Sequence, residues 1–285
     1  LTGSDRFSRR ELLISGAVAA GYALAVRPVS AKAVHTDGEG LEAGMVEIDV
    51  AGAPMPAYRA KPAGAESEVA AKPPVALVVH EIFGVHEYIR DVCRRLAKEG
   101  YLALAPDLYR RYGDVTRLES VDEIIEQVVR KVPDAEVMSD LDAALAWAGE
   151  TDGGDASRAV VTGFCWGGRI VWLYAAHRPE LRAGVAWYGR LAGAPGETTP
   201  RHPLDLVGEL EVPVLGLYGE RDRGIPPETV DAMRAKLAAA GSRSEIVLFP
   251  AAPHGFHADY RPSYRSMAAA EGWRRMLAWF EQHIS

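Results

Sequence analysis

The chain has 285 residues, of which 48% are hydrophobic and 25% charged, globular proportions that exclude a disordered polypeptide. A formal net charge of -7 speaks against a nucleic-acid partner. Two cysteines, Cys93 and Cys165, exclude a disulfide framework and a four-cysteine zinc site, and no apolar run reaches the roughly 18 residues that cross a bilayer, so no stable membrane anchor is expected.

The chain opens on what reads as an address. Residues 8–13 are Ser-Arg-Arg-Glu-Leu-Leu, a mildly apolar run follows from Leu12 to Val26, and Ala31-Lys32-Ala33 has a small-x-small cleavage pattern. A charged head, a short apolar stretch and such a site describe an export signal. Paired arginines before a weakly hydrophobic run resemble a twin-arginine leader. The expectation is a leader over residues 1–33, engagement of the twin-arginine export machinery and a periplasmic destination.

The remainder alternates strands and helices. Residues 45–50 alternate apolar and acidic side chains, as in a half-exposed strand, and a short strand is expected near 55–60. The apolar run 75–79 suits a strand buried on both faces. A helix over 88–99 stops at Gly100, and strand 101–105 ends at Pro106. Helices are predicted over 121–132 and 135–148, separated by Pro133. Strand 159–162 runs into Gly163 and is followed by helix 166–177. Strands 184–188 and 214–218, helix 227–240, strand 246–249 and helix 265–283 complete the series. Buried strands alternating with helices predict an α/β fold, a mostly parallel sheet with helices on both faces, in one domain spanning about residues 44–285. Ligands in such sheets bind beyond the carboxyl ends of the strands.

Three of those strand ends carry reactive side chains. After strand 159–162 comes Gly163-Phe164-Cys165-Trp166-Gly167-Gly168, a G-x-nucleophile-x-G elbow with cysteine in the serine position. A tight strand-to-helix turn leaves no room for side chains at Gly163 and Gly167. Cys165 then sits at a helix N-terminus, which favours thiolate. Cys93, mid-helix beside Arg94 and Arg95, reads as packing. After strand 214–218, Asp222 is the candidate to orient a histidine, with Glu220 as its competitor. After strand 246–249, His254 is the candidate base and His257 the alternative. Nucleophile, acid, base is the chain order of α/β-hydrolases. The His254–His257 spacing lacks a third metal-ligand cluster, so no metal is expected. After strand 75–79, Glu81-Ile82-Phe83-Gly84 occupies the loop that supplies one oxyanion amide, assigned to Ile82; the other is assigned to Trp166. Glu81 beside that hole could hold or take the thiol proton. Tyr109, Tyr112, Trp166, Trp187 and Tyr188 could line a pocket, and residues 190–210 could cover it.

Together, Glu81-Ile82-Phe83-Gly84, Pro106-Asp107-Leu108-Tyr109, the Cys165 elbow, Gly219-Glu220-Arg221-Asp222 and His254-Gly255-Phe256 resemble the dienelactone hydrolase family, the carboxymethylenebutenolidases. The resemblance runs from about residue 44 to the end. It implies an α/β-hydrolase fold, no cofactor, a small ester or lactone substrate, a triad of Cys165, Asp222 and His254, and an auxiliary glutamate at Glu81 that contacts the cysteine at rest. Substrate-binding candidates are Tyr109, Tyr188, Phe256 and Arg111. The family holds its substrate carboxylate with two arginines. One falls four residues past the catalytic histidine, where this chain has Ala258; the other has no counterpart in residues 121–129. Arg110, Arg111, Arg117, Arg130 and Arg261 are the candidates to replace them. The alternative readings are a small-molecule-binding module that kept the fold without turnover, and a thioesterase or general esterase with a different substrate.

Overall fold

The computed structural model describes residues 33–64 and 72–285. The expected leader therefore lies, except for Ala33, outside the described residues. Eight strands form one sheet: β1 (Leu41–Val50), β2 (Ala53–Pro62), β3 (Pro74–Val79), β4 (Leu102–Pro106), β5 (Asp155–Phe164), β6 (Ala183–Trp187), β7 (Val214–Gly219) and β8 (Glu245–Phe249). Their spatial order is β1-β2-β4-β3-β5-β6-β7-β8. β1 and β2 form an antiparallel hairpin, β2 pairs antiparallel with β4, and all other pairings are parallel.

Among the described residues six α-helices accompany the sheet: α1 (Glu87–Lys98), α2 (Val121–Gln127), α3 (Asp134–Glu150), α4 (Trp166–His177), α5 (Pro227–Ala239) and α6 (Ser266–Ile284). Their packing makes β3 to β7 interior strands. Val75 to Val79 are fully buried, as are all five residues of β4 and of β6. Hairpin strand β1 keeps the alternation of a half-solvated strand, with Ile48 and Val50 inward and Glu47 and Asp49 outward.

Two departures from the sequence reading have local causes. β1 begins at Leu41, four residues early, because Leu41–Gly44 find partners in Arg59–Pro62 of β2. The helix predicted over 121–132 breaks at Val128, and a 3₁₀ turn spans Val129–Lys131. Val128, Val129 and Val132 are β-branched, and Pro133 pushes Val132 into an extended conformation.

All parallel strands present their carboxyl ends on the same edge, where Glu81, Tyr109, Cys165, Tyr188, Asp222 and His254 follow β3, β4, β5, β6, β7 and β8 in turn.

Candidate active site

Cys165 occupies the turn between β5 and α4 with φ 55° and ψ -112°, a region that a side chain tolerates only when its surroundings enforce it. The enforcement is visible. A β-carbon on Gly163 would collide with the carbonyl of Gly167, and one on Gly167 with those of Val79 and His80. β5, α4 and the chain leaving β3 therefore touch backbone to backbone. Trp187 accepts a 3.0 Å hydrogen bond from the Cys165 amide. The thiol ends up 7% exposed at the N-terminus of α4.

The same close approach sets the chain leaving β3, at Val79 and His80, against the first turn of α4. There the Trp166 amide is among those without an intrahelical acceptor. A residue that the sequence reading passed over sets this loop. His80 is fully buried; its Nδ1–H donates to the Glu81 carbonyl (2.7 Å), and its Nε2 accepts from the Leu108 amide (3.2 Å). Burial keeps this imidazole neutral by lowering its pKa. Its ring stacks on Trp166 at 5.5 Å and meets the edge of Tyr109 at 4.6 Å. His80 thus fastens the β3 loop to the β4 loop.

The structure separates the alternatives for acid and base. His254 Nδ1–H donates to Asp222 Oδ2 at 2.6 Å, and Asp222 Oδ1 accepts from the amides of Gly224 (2.8 Å) and Ile225 (3.2 Å). Asp222 is 2% exposed, so its carboxylate is fixed by backbone donors, and donation from Nδ1 leaves the His254 lone pair on Nε2. Glu220 instead accepts from the Ala251 amide at the surface. His257 is buried with its Nδ1 2.6 Å from the Tyr88 hydroxyl, and burial, with Arg95 nearby, pushes its pKa down to about 3. It is a neutral core histidine. Among the described residues no group of three His, Cys, Asp or Glu could hold a metal ion.

Glu81 is fully buried, and its partners differ from the expected one. Its Oε2 accepts from the Tyr260 hydroxyl (2.6 Å) and lies 3.4 Å from His86 Nε2; its Oε1 lies 3.2 Å from Arg261 Nη2. Among the described residues it shares no hydrogen bond with Cys165. Burial raises its pKa, but Arg261, His86 and Tyr260 together outweigh burial and hold it at about 2. Arg261 is itself buried, donates from Nε to the Tyr260 oxygen (2.9 Å) and covers the Phe83 ring at 4.8 Å. Tyr260 and His86 carry no motif, so only the folded chain brings them to Glu81.

The substrate-binding candidates divide. Tyr109 and Tyr188 are buried at the site, and burial raises the pKa of both hydroxyls, with the Cys165 sulfur close enough to add to the effect. The Tyr109 hydroxyl has no hydrogen-bond partner among the described residues. Tyr188 sits at φ 38° with its ring 5.1 Å from that of His254. Phe256 is a core residue, fully buried among Trp187, Tyr188 and Phe249.

Arg111, expected at the substrate, is engaged elsewhere. Its guanidinium forks onto the buried Asp140 (2.7 and 2.8 Å) and reaches Glu136 (2.8 Å), which staples the loop after β4 to α3. Arg111→Ala is therefore expected to leave KM for an ester unchanged. It should cost about 1–3 kcal/mol of stability in urea unfolding, because the buried Asp140 carboxylate loses its partner. A raised KM with normal stability would contradict this placement. The other arginines are also committed: Arg110 to the Pro54 carbonyl, Arg117 to Asp114, Arg130 to Glu126. Arg261 is the one of the five that joins the site cluster. Residues 190–210 are tied down by Arg169, which forks onto Asp134 (2.6 and 2.6 Å) and donates to His202 Nδ1 (3.3 Å).

Comparison with known proteins finds relatives that match most of the chain. The model of the dienelactone hydrolase family matches residues 55–284. A relative from Methylorubrum extorquens named "Putative carboxymethylenebutenolidase" is 54% identical over 99% of this chain and 96% of its own. One of the same name from Salmonella typhimurium is 50% identical over 92% of this chain and 96% of its own. A crystal structure described as a "Putative Dienelactone Hydrolase" from Klebsiella pneumoniae superposes with a TM-score of 0.82 at 53% identity, covering 85% of this chain and 99% of that one.

Proposed function

The chain belongs to the dienelactone hydrolase family, a family of hydrolases on the α/β-hydrolase fold, and from that premise we propose that it cleaves carboxylic ester or lactone bonds through a Cys165-His254-Asp222 triad. The observation that carries the proposal is the 2.6 Å hydrogen bond from His254 to the amide-fixed Asp222, on the strand edge that holds the strained Cys165 elbow. In the proposed reaction the Cys165 thiolate attacks the carbonyl carbon. The amides of Ile82 and Trp166 receive the oxyanion. The alkoxide or ring oxygen leaves, and His254 deprotonates the water that hydrolyses the thioester. Asp222 holds the His254 tautomer and favours its imidazolium. Glu81, anionic and neutralised by Arg261, acts on the thiol proton only after leaving Arg261; at rest it supplies a fixed charge. The leader-like segment supports a periplasmic place of action.

Substrate choice turns on the missing clamp. Ala258 cannot grip a carboxylate, and Arg261 already spends its charge on Glu81, whereas a free arginine fork would bind one in two places. These observations favour a neutral substrate. Compared by kcat/KM, a neutral short-chain aryl ester is expected to exceed a dienelactone by about tenfold, roughly 1.4 kcal/mol in transition-state binding. A reversed preference would mean that Arg261 releases Glu81 for the substrate carboxylate. Absence of Cys165-dependent turnover of either would favour the binding-module reading.

A further inference from the structure

The segment that leads into β1 is held at three points, two of them on α1 and one at Asp259. The Val34 nitrogen donates to Asp259 Oδ2 (3.2 Å), the Thr36 nitrogen to Asp91 Oδ1 (2.5 Å), and Thr36 O accepts from Arg94 Nε (2.8 Å). Asp259 and Asp91 are 5% and 1% exposed. Asp259 shares one cation: Arg95 reaches it with Nη2 (2.8 Å) while giving Nε to Asp91 (2.5 Å). Arg94 is divided between Asp91 (3.1 Å) and Glu87 (2.6 Å). Three carboxylates thus face two guanidinium groups, and the buried one with the smallest share of positive charge touches the backbone nitrogen of Val34. Burial raises the pKa of Asp259 despite Arg95, which fits a carboxylate short of compensation. Val34 also follows Ala31-Lys32-Ala33 directly, and Ala33, Val34 and His35 are exposed and in no helix or strand, as a peptidase requires.

We propose that the chain is cut between Ala33 and Val34 and that the new α-ammonium of Val34 forms an ion pair with the buried Asp259 carboxylate. The proposal rests on the export-leader reading. The cut is a hydrolysis by an endopeptidase of small-x-small specificity. Water adds across the amide: its hydroxyl goes to the carbonyl carbon, which leaves as the Ala33 carboxylate, and the released Val34 nitrogen takes protons to become an ammonium. A neutral donor at Asp259 becomes a cation, and the cluster of Glu87, Asp91, Asp259, Arg94 and Arg95 reaches charge balance. The other titratable groups around it among the described residues are Tyr58, whose hydroxyl accepts from Arg94 Nη1 (3.1 Å), His35, 3.6 Å from Glu87, and the Tyr88–His257 pair with its neutral imidazole. Asp259 immediately precedes Tyr260 and Arg261, so the pair also anchors the segment that holds Glu81.

The test begins with the full chain, expressed in a bacterium with twin-arginine export and sequenced from the N-terminus in the periplasmic fraction. A start at Val34 is expected. A different start, or an uncut chain in that fraction, overturns the cut; a chain retained whole in the cytosol overturns the leader reading on which the cut rests. Protein beginning at Val34 is then unfolded across about pH 7 to 10, beside its Nα-acetylated form and Asp259→Asn. An ammonium paired in the native state has a raised pKa, so its contribution is full below the ordinary value of about 8 and fades as pH rises through the raised one. The α-amine is expected to titrate about one unit, a tenfold shift in its equilibrium, above that value. The matching fall in stability should be absent after acetylation and in Asp259→Asn. Acetylation leaves every side chain in place, so it decides the matter even if Asp259→Asn folds poorly. Identical profiles for the free and acetylated proteins overturn the pairing.

Discussion

Replacing Cys165 with alanine is expected to lower hydrolysis of every accepted ester by at least about 10⁴-fold, since losing a nucleophile leaves only binding and oxyanion stabilisation. The fold should survive. Cys165 is small, alanine removes one atom, and the elbow is imposed by contacts among Gly163, Gly167, Val79 and His80 rather than by the sulfur. Unchanged thermal unfolding alongside lost turnover is therefore the predicted pair of results, and full activity in the variant would end the triad proposal. Cys165→Ser separates nucleophile from geometry. It keeps the shape and the His254–Asp222 pair but offers a hydroxyl that is far harder to ionise, so residual esterase activity should be weak. Cys93 provides the internal control. It is fully buried in α1, and burial pushes its thiol pKa far up, so an electrophile such as iodoacetamide should label Cys165 and spare Cys93 in the native protein.

What the sequence made legible follows from the range of the interactions involved. β3 and β5 announce themselves because a strand buried on both faces needs a continuous apolar run. The elbow announces itself because its backbone contacts leave no room at Gly163 and Gly167. Choices between neighbours were beyond it. Asp222 and Glu220 both follow β7, and His254 and His257 both follow β8. Only the tertiary direction of each side chain sends one pair together and the others to the surface or the core. Arg111 looked available because its partner, Asp140, lies on a different element, and ion pairs across elements leave no periodic trace. His80, His86 and Tyr260 escaped notice for the same reason. His80 ties the β3 loop to Leu108 in the loop after β4, and His86 and Tyr260 reach the β3 loop through Glu81.

Breaking the Glu81–Arg261 pair from the arginine side is expected to be among the most destabilising single changes outside the hydrophobic core. In Arg261→Met the carboxylate stays fully buried with only Tyr260 and His86 to hold it, a situation that costs about 3–5 kcal/mol when a buried pair loses one member. The double variant Arg261→Met with Glu81→Gln removes the orphaned charge. It should recover most of that loss, because a buried pair replaced as a unit is often close to neutral. The pair also has a pH signature. The folded pKa of Glu81, about 2, lies below its ordinary 4.5, so its contribution to stability is complete above about 4.5 and disappears as pH falls towards 2. Wild type should accordingly lose stability over that interval more steeply than Glu81→Gln, measured by urea unfolding at stepped pH. Parallel acid profiles would show that Glu81 is not held as a buried anion, and would leave Arg261 free to meet a substrate carboxylate. A steeper wild-type profile, with rescue in the double variant, would show a charge pair whose first role is to neutralise itself beside the thiol, in keeping with a site that receives uncharged esters.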